Sequence, residues 1–288
     1  MKQNTYQLLD SGSFRKLEQV GPFRLIRPSA QAVWKPEKSS GLWASADAEF
    51  IRTSHGEGHW KKHNKKLPGS WTVSLQGGLK LHIRLTDFGH IGIFPEHHYG
   101  DEFKNPILKA KRDGKPFKIL NLFAYTGAVS LLASSWGAEV VHVDASKTSV
   151  QWARDNAALN PEQDMKIRWI TEDVKKFVAR EIRRKSRYQG IILDPPSFGR
   201  GTKSEVWKIE DDLPVLLDDL KQLTGDDFSF MKLSAHSPGF TPVALENMLR
   251  SCFNKLSASY QSFEMLTNAS PSGLSLPSGA CSILSRES

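Results

Sequence analysis

Acidic residues follow two short apolar runs of the chain, at positions where a sheet would present them at one edge. Residues 139–143 lead directly into Asp144, and residues 188–193 lead into Asp194, which two prolines follow. Prolines cannot donate the hydrogen bonds of a central strand, so the second run ends at Asp194 in a stiff lip. Open α/β sheets bind ligands at the carboxyl ends of their strands, and we therefore expect both carboxylates to face a ligand.

A strand, a tight turn and a helix are predicted just before Asp144. Residues 118–122 form an apolar run too short for a helix, and residues 123–127 form a turn that leads into a helical pattern. This is the first half of a nucleotide-type βαβ unit, in which an acidic residue about 20 positions after the turn accepts hydrogen bonds from ribose hydroxyls. Asp144 lies 23 positions after Asn121, so the spacing fits.

The turn differs from the G-x-G-x-x-G motif of dinucleotide-binding proteins, because Gly127 is its only glycine. Without paired glycines the backbone cannot approach a pyrophosphate easily, which disfavours a dinucleotide and hence a dehydrogenase. A ligand with an adenosine group and no phosphates suits this turn better. The turn therefore predicts S-adenosylmethionine as the ligand.

With these motifs in order, the sequence resembles the class I S-adenosylmethionine-dependent methyltransferases and, more narrowly, the family containing the large-subunit (23S) ribosomal RNA methyltransferases. The resemblance covers roughly residues 90–240 and rests on four segments: 121–127, 143–146, 172–174 and 194–198. It implies an α/β fold, a Rossmann-like class I methyltransferase domain with a seven-stranded, mostly parallel sheet and helices on both faces, preceded by a small β-rich domain.

The motifs and the resemblance together assign the residues of a candidate site. Those assigned to the cofactor are Phe94, Glu96, Asn121, Phe123, Ala124, Tyr125, Thr126, Gly127, Asp144, Ala145, Ser146, Asp173, Val174 and Asp194. Those assigned to catalysis are Asp194, Pro195, Pro196 and Phe198. No metal site is predicted.

Individual roles follow from the resemblance and from the residue types. Asp194 with its rigid prolines can orient an acceptor amine or ring nitrogen, and Phe198 can stack on a base. In the fold that the chain resembles, Asp173 faces the adenine amino group and Val174 packs on the ring. Helix capping alone also explains Asp173, and Asp194 can equally be an acid that only caps the next element.

The methylated atom is predicted to be a nitrogen. Methylation of cytosine at carbon 5 needs a cysteine thiolate, which related RNA methyltransferases carry after the fifth strand. Here that loop, residues 233–237, holds no cysteine, and we expect Cys252 and Cys281 in the core. His236 in the same loop can serve as a base, hydrogen-bond to substrate or have a structural role.

The chain is predicted to contain two domains, a small β-rich domain over residues 1–98 and the methyltransferase domain over residues 99–288. Residues 1–20 are polar, and we expect them frayed or packed at an edge. The net charge of +8 is concentrated in residues 1–100, which carry 14 lysines and arginines against 8 acidic residues. This favours a polyanionic partner and makes the first domain a candidate RNA-binding domain.

A basic segment, residues 59–66, carries Trp60 beside its lysines. It can contact RNA phosphates and stack on an unpaired base, or it is a solvated loop. His55, His59 and His63 recur at helical spacing, but the glycines between them disfavour a helix and thus a metal site. Residues 199–201 are expected to be flexible and able to close over substrate.

Composition limits the remaining choices. Two cysteines without a C-x-x-C pair, no leader-like start and no apolar run of membrane length predict a cytoplasmic protein without a membrane partner. The function predicted is a methyltransferase (EC 2.1.1.-) that uses S-adenosylmethionine and acts on RNA, ribosomal RNA above all. The alternatives are a methyltransferase for a protein or small molecule, and a cofactor-binding but inactive RNA-binding module.

Overall fold

The computed structural model of the chain describes residues 5–53, 58–97, 103–200, 206–267 and 273–287. The chain divides into two compact units. The first unit contains residues 1–98 and also residues 266–278, which the sequence-based division had placed in the second domain. Leu276 explains this placement, because it is buried against Leu8 and Ala32 of the first unit.

The first unit is β-rich. A five-stranded sheet has the order β1-β2-β3-β4-β5, and a separate hairpin joins β6 to β7. The elements are β1 (Tyr6–Gly12), β2 (Arg15–Val20), β3 (Phe23–Pro28), α1 (Ser40–Ala44), β4 (Ala48–Arg52), β5 (Gly58–Lys62), β6 (Ser70–Ser74) and β7 (Lys80–Arg84). The hairpin is antiparallel, as its two alternating apolar runs predicted.

Of the two arrangements expected for residues 1–20, packing at a sheet edge is the one found from Tyr6 onward, because β1 is an edge strand. β1 and β2 pair, and Leu8, Leu17 and Val20 are buried. The polar side chains in these strands interrupt the apolar alternation and pair with one another. The Glu18 carboxylate lies 2.6 Å from the Arg27 guanidinium and accepts a hydrogen bond from the Tyr6 hydroxyl at 2.8 Å. A buried ion pair therefore takes the place of apolar packing at this point.

The basic segment starts as an edge strand rather than a loop. Lys61 and Lys62 belong to β5 and are exposed, an arrangement that protects a sheet edge from further pairing. Trp60 is half-buried, because its indole N–H donates to the Thr86 carbonyl at 2.8 Å and its ring packs edge-on against Phe50. Its side chain is thus engaged within the unit. His55 lies outside the described residues.

Two short segments expected as strands are irregular. Residues 32–34 form no strand, and neither do residues 91–94, although Ile91 and Ile93 are buried. Gly92 has a φ of 95°, which interrupts the extended backbone between the two isoleucines.

We predict that Glu18→Gln destabilises the protein by about 3–5 kcal/mol, because the substitution leaves the buried Arg27 guanidinium without its counter-charge. Urea unfolding measures the change. Glu49→Gln is the matched control, since its pair with Arg15 lies at the surface and contributes less than about 1 kcal/mol. Equal losses in the two variants would contradict the assignment.

The same pair predicts an acid dependence. Burial by itself raises the pKa of Glu18, but the charges of Arg27 and Lys16 and hydrogen bonds from Arg27 and Tyr6 bring it down to about 2. A carboxyl with a depressed pKa stabilises the folded state fully above its unfolded pKa of about 4.5 and loses that contribution as the pH falls towards 2. The Glu18→Gln variant should lack this component.

The second unit alternates strands and helices. Its elements are α2 (Lys104–Arg112), β8 (Lys118–Leu122), α3 (Ala128–Ser135), β9 (Glu139–Asp144), α4 (Lys147–Ala158), β10 (Ile167–Thr171), α5 (Val174–Arg183), β11 (Gly190–Leu193), β12 (Phe198–Arg200), β13 (Val206–Lys208), α6 (Ile209–Lys221), β14 (Phe230–Ala235), α7 (Pro242–Cys252), β15 (Ala258–Thr267) and β16 (Leu276–Arg286). None of the helices in the described ranges is long and apolar enough to cross a membrane.

A seven-stranded sheet forms the centre of this unit, with the order β10-β9-β8-β11-β14-β16-β15. The five strands from β10 to β14 are parallel, and β16 runs antiparallel to β14. This confirms the predicted fold class. Because the chain order reverses beside β8, the carboxyl ends of β8 and β11 flank a topological switch point, where open α/β sheets bind ligands.

Candidate functional site

The turn between β8 and α3, residues 123–127, has an unusual backbone. Phe123, Tyr125 and Gly127 have φ angles of 54°, 48° and 83°, so three alternate residues adopt the left-handed conformation. Only Gly127 does so without a steric cost. A Cβ at Gly127 would also lie 2.9 Å from the Cβ of Ala153, so a glycine is needed for the close approach of α4 as well.

Hydrogen bonds hold the β8–α3 turn in this conformation. The N–H of Ala124 donates to the Val143 carbonyl at 3.1 Å, and that of Gly127 donates to the Ala124 carbonyl at 3.0 Å. Asp144 accepts from the Tyr125 N–H at 2.8 Å through one carboxylate oxygen and from the Ser146 N–H at 2.8 Å through the other. The carboxylate thus ties the end of β9 to the turn after β8.

Asp144 is partly shielded from water at this position. Burial raises the pKa of its carboxyl, while the hydrogen bonds from the backbone of Ser146 and Tyr125 oppose that rise. Ser146 also begins α4, where its hydroxyl accepts a hydrogen bond from the Ser149 N–H at 3.1 Å. Ala145 lies between Asp144 and Ser146 in the chain.

The side chain of Asn121 points into the interior. It is buried and donates to the Ser130 hydroxyl at 2.8 Å, and that hydroxyl lies 3.0 Å from Nδ1 of His142. Burial lowers the pKa of His142 to about 3, so the imidazole is neutral. These side chains join β8, α3 and β9 beneath the turn, so the predicted cofactor contact of Asn121 would have to be made by its backbone.

The end of β10 supplies the next acidic residues. Asp173 caps α5, because one carboxylate oxygen accepts from the Lys176 N–H at 3.0 Å. Glu172 is engaged with Arg180 at 2.6 Å. The Val174 side chain is buried in the main core and is not exposed for packing on an adenine ring. Thr126 is also buried, and its carbonyl accepts a hydrogen bond from the Asn156 amide at 2.9 Å.

Asp194 follows β11, at the same edge of the sheet. Its Oδ1 accepts a hydrogen bond from the Ser234 hydroxyl at 2.7 Å and lies 3.5 Å from Nε2 of His236. The side chains of Asp194 and His236 are 28% and 33% exposed, so both are accessible from solvent. The sequence analysis identified His236 but not Ser234, which it placed in the loop; the structure places Ser234 within β14, next to Asp194.

Asp194 and the four residues after it form the acidic lip (residues 194–198). Two hydrogen bonds, one on each side, hold this lip in place. The Ser197 hydroxyl lies 2.6 Å from that of Ser237, and the Trp207 indole N–H donates to the Pro196 carbonyl at 2.7 Å. Pro195 is buried, whereas Phe198 is exposed over 52% of its surface.

A hairpin replaces part of the flexible segment that the sequence predicted. Gly199 pairs with Trp207 across β12 and β13, and only Gly201 of that segment lies outside the described residues. The Trp207 ring packs against Phe123, with ring centroids 4.8 Å apart. A single buried tryptophan therefore contacts both the acidic lip and the β8–α3 turn, a role that the sequence pattern did not reveal.

Phe94 and Glu96 belong to the first unit. The Phe94 ring packs edge-on against His90 at 5.3 Å, and Glu96 lies in a short 3₁₀ segment, Pro95–His97. Their contact with the cofactor stays a prediction.

The chain is similar in sequence and structure to known proteins. The family model described as S-adenosylmethionine-dependent methyltransferase matches residues 62–229, which is more than half of the chain. The chain belongs to this family. S-adenosylmethionine is therefore its cofactor, as the turn predicted.

Individual relatives extend the comparison. A crystal structure of the S-adenosylmethionine-dependent methyltransferase from Agrobacterium tumefaciens superposes with a TM-score of 0.92 at 38% identity, covering 98% of this chain and 90% of that one. A methyltransferase crystallised with S-adenosylhomocysteine has a TM-score of 0.74 at 19% identity, covering 99% of this chain and 76% of its own; it shares the fold.

The ribosomal RNA large subunit methyltransferase K/L of Ectopseudomonas mendocina is 35% identical over 153 residues, or 52% of this chain and 20% of its own length. The chain thus spans about a fifth of the length of this curated relative.

The donor set of the β8–α3 turn fits a methyltransferase cofactor. Its N–H groups at Ala124, Tyr125 and Gly127 are used within the protein, which leaves few to bind a pyrophosphate. An ionised carboxylate accepts about four hydrogen bonds, so Asp144 can bind ribose hydroxyls in addition to two backbone N–H groups. An adenosyl ligand without phosphates matches both features.

We predict that Asp144→Asn weakens S-adenosylmethionine binding about tenfold to a hundredfold, because hydrogen bonds to a charged acceptor are each worth about 1.5–3 kcal/mol. Isothermal titration calorimetry measures the affinity, with the exposed Asp164→Asn as control. In the unsubstituted protein the affinity should fall as the pH drops through the raised pKa of Asp144, above 3.8. Unchanged affinity in Asp144→Asn would contradict the assignment.

We predict that Trp207→Phe lowers kcat for methyl transfer about tenfold and changes cofactor affinity less than about threefold. Phenylalanine keeps the ring contact with Phe123 but leaves the Pro196 carbonyl unsatisfied, and small displacements of reacting groups are costly. Trp43→Phe, which loses an indole hydrogen bond to Asp10 in the first unit, is the matched control. If both variants lowered kcat equally, a general loss of stability would explain the effect.

Proposed function

We propose that the chain methylates a base nitrogen of RNA, with ribosomal RNA as the substrate class. One observation carries the proposal: the acidic lip joins a carboxylate, a rigid proline pair and an exposed aromatic ring at the ligand-binding edge of the sheet. The curated relatives support the substrate class, because they are ribosomal RNA large subunit methyltransferases. The cationic excess of residues 1–100 supports it as well.

The chemistry required of the side chains is modest. S-adenosylmethionine supplies an activated methyl group on a sulfonium, so the protein contributes proximity, orientation and exclusion of water. Asp194 accepts a hydrogen bond from the N–H of the acceptor base and thereby aligns the nitrogen lone pair with the methyl group. Pro195 and Pro196 fix the carboxylate at the strand end, and Phe198 stacks on the base.

Ser234 and His236 hold the Asp194 carboxylate in place. The Ser234 hydroxyl donates to Oδ1 at 2.7 Å, which restricts rotation of the carboxylate. The acceptor nitrogen must release a proton after methylation, and the Asp194 carboxylate is the base nearest to it in this arrangement. Nε2 of His236, 3.5 Å from Oδ1, is placed to receive that proton next.

The cysteines support nitrogen rather than carbon as the acceptor. Cys281 is fully buried in a cluster with Met265 and Ile283. Burial, together with the neighbouring Asp218, raises the pKa of the Cys252 thiol to about 12, so it carries no thiolate near neutral pH. Neither thiol is suited to add to a cytosine ring.

The first unit is proposed to contact the same RNA. The exposed edge strand β5 presents Lys61 and Lys62, and the turn after it carries the exposed Lys65 and Lys66. Lysines in such a row bind phosphates and release counter-ions, without reading sequence.

We predict that Asp194→Ala lowers methyl transfer to RNA at least about a hundredfold and changes RNA affinity less than about threefold, because the carboxylate orients the acceptor base without carrying most of the RNA binding. The assay follows a tritiated methyl group from S-adenosylmethionine into RNA, protein and small-molecule fractions of cells lacking this protein. Asp164→Ala, an exposed aspartate at a distant loop, is the control.

Each outcome of this assay has a distinct meaning. Counts in RNA that disappear with Asp194→Ala support the proposal and allow the base to be mapped. Counts confined to protein or small molecules would overturn the RNA substrate and retain the chemistry. No counts in any fraction, with cofactor binding intact, would favour an inactive cofactor-binding module.

A further inference from the structure

The amino-terminal edge of the seven-stranded sheet, opposite the cofactor, carries a cluster of basic side chains. We name it the basic edge; its members are Lys118, Lys166, Arg168, Arg183, Lys185 and Arg187. Lys118 opens β8, Lys166 precedes β10, and the last three residues end α5 or follow it. All six are exposed, and within the described ranges none of them forms an ion pair with an acidic side chain.

A groove of about 450 Å³ is lined by four members of the basic edge and by Val140, Val141 and Ile167; the four are Lys118, Lys166, Arg168 and Arg187. Two acidic residues line it. Glu181 is already neutralised, because its carboxylate accepts hydrogen bonds from Arg184 and from the Tyr188 hydroxyl, each at 2.9 Å. Among the described lining residues, Glu139 alone then opposes the four cations of the groove, so the groove is positive.

Helix α5 connects this groove with the cofactor edge. It begins beside Asp173 at the carboxyl end of β10 and ends at Arg183, a rise of about 15 Å for a helix of this length. Lys176 and Arg183, seven positions apart, lie on the same outer face of α5. Because α6 contacts α5 and begins with Glu210, Asp211 and Asp212, acidic residues border the positive face of α5 on that side.

This distribution fits a linear polyanion better than a small anion. Six exposed cations spread over the amino ends of two strands and the end of α5, rather than converging on one point, match a row of phosphates. We propose that the basic edge binds the phosphodiester backbone of the RNA substrate at a position remote from the methylated base. The inference rests on the proposed function and adds a second anchoring point for that substrate.

The test compares two triple variants of the full chain. Arg183→Gln, Lys185→Gln and Arg187→Gln together remove half of the basic edge. Lys147→Gln, Arg154→Gln and Lys255→Gln together remove the same charge from other exposed positions and form the control. Fluorescence anisotropy measures Kd for fragments of large-subunit ribosomal RNA from cells lacking this protein, at several salt concentrations. Tritium transfer at saturating RNA is measured in parallel.

We expect the first triple variant to raise Kd about tenfold to a hundredfold and to reduce the slope of log Kd against log salt by roughly 2, since each lost phosphate contact removes about 0.7–0.9 of slope. Its kcat at saturating RNA and its affinity for S-adenosylmethionine should match those of the unsubstituted protein. The control triple should change Kd less than about threefold.

Three results would overturn the inference. Unchanged Kd and slope in the first triple variant would show that RNA does not reach the basic edge, and equal losses in both triples would reduce the effect to net charge. Poly-glutamate is titrated in the same anisotropy assay. If the first triple variant lost binding to poly-glutamate but kept its RNA affinity, the surface would be assigned to an acidic protein. Absence of methyl transfer to RNA by the unsubstituted protein would instead contradict the proposed function, which the transfer assay detects separately.

Discussion

The carboxylate of Asp144 is the interaction on which the cofactor edge depends. Through one oxygen it accepts the Tyr125 N–H and through the other it accepts the Ser146 N–H, so a single side chain fixes the loops that follow β8 and β9. The left-handed backbone at Phe123 and Tyr125 is unfavourable in isolation and persists because these bonds determine it. The same carboxylate keeps capacity to accept ribose hydroxyls, so in the proposed site one group would serve both folding and cofactor binding.

Trp207 links the acidic lip to the β8–α3 turn. Its ring packs on Phe123 and its N–H holds the Pro196 carbonyl, so the position of the acidic lip depends on the conformation of the β8–α3 turn. Such coupling suits a reaction in which the protein supplies mainly alignment, because the acceptor and the methyl donor are then positioned by one continuous structure. Ser234 adds a second restraint on Asp194 from the adjacent strand.

Hydrophobic periodicity and helix-capping residues predicted most strands and helices of the second unit. Its strands are continuous apolar runs, and two of its helices have recognisable capping residues, Ser146 and Asp173. Periodicity does not predict side-chain direction: the side chains of Asn121 and Val174, both predicted as cofactor contacts, are buried in the interior. Trp207 was missed because its partners are distant in sequence. The first strands were missed because Glu18 and Arg27 neutralise each other in the core, which composition alone reads as exposed polarity.

Methylation of an RNA base nitrogen is the central claim of this account, and nucleoside mass spectrometry of cellular RNA tests it most directly. Ribosomal RNA from cells lacking the protein is compared with RNA from the same cells carrying the unsubstituted protein or Asp194→Ala. The account predicts one N-methylated nucleoside that is absent without the protein, restored by the unsubstituted form and not restored by the variant. Identical nucleoside profiles in all three RNA samples would contradict it.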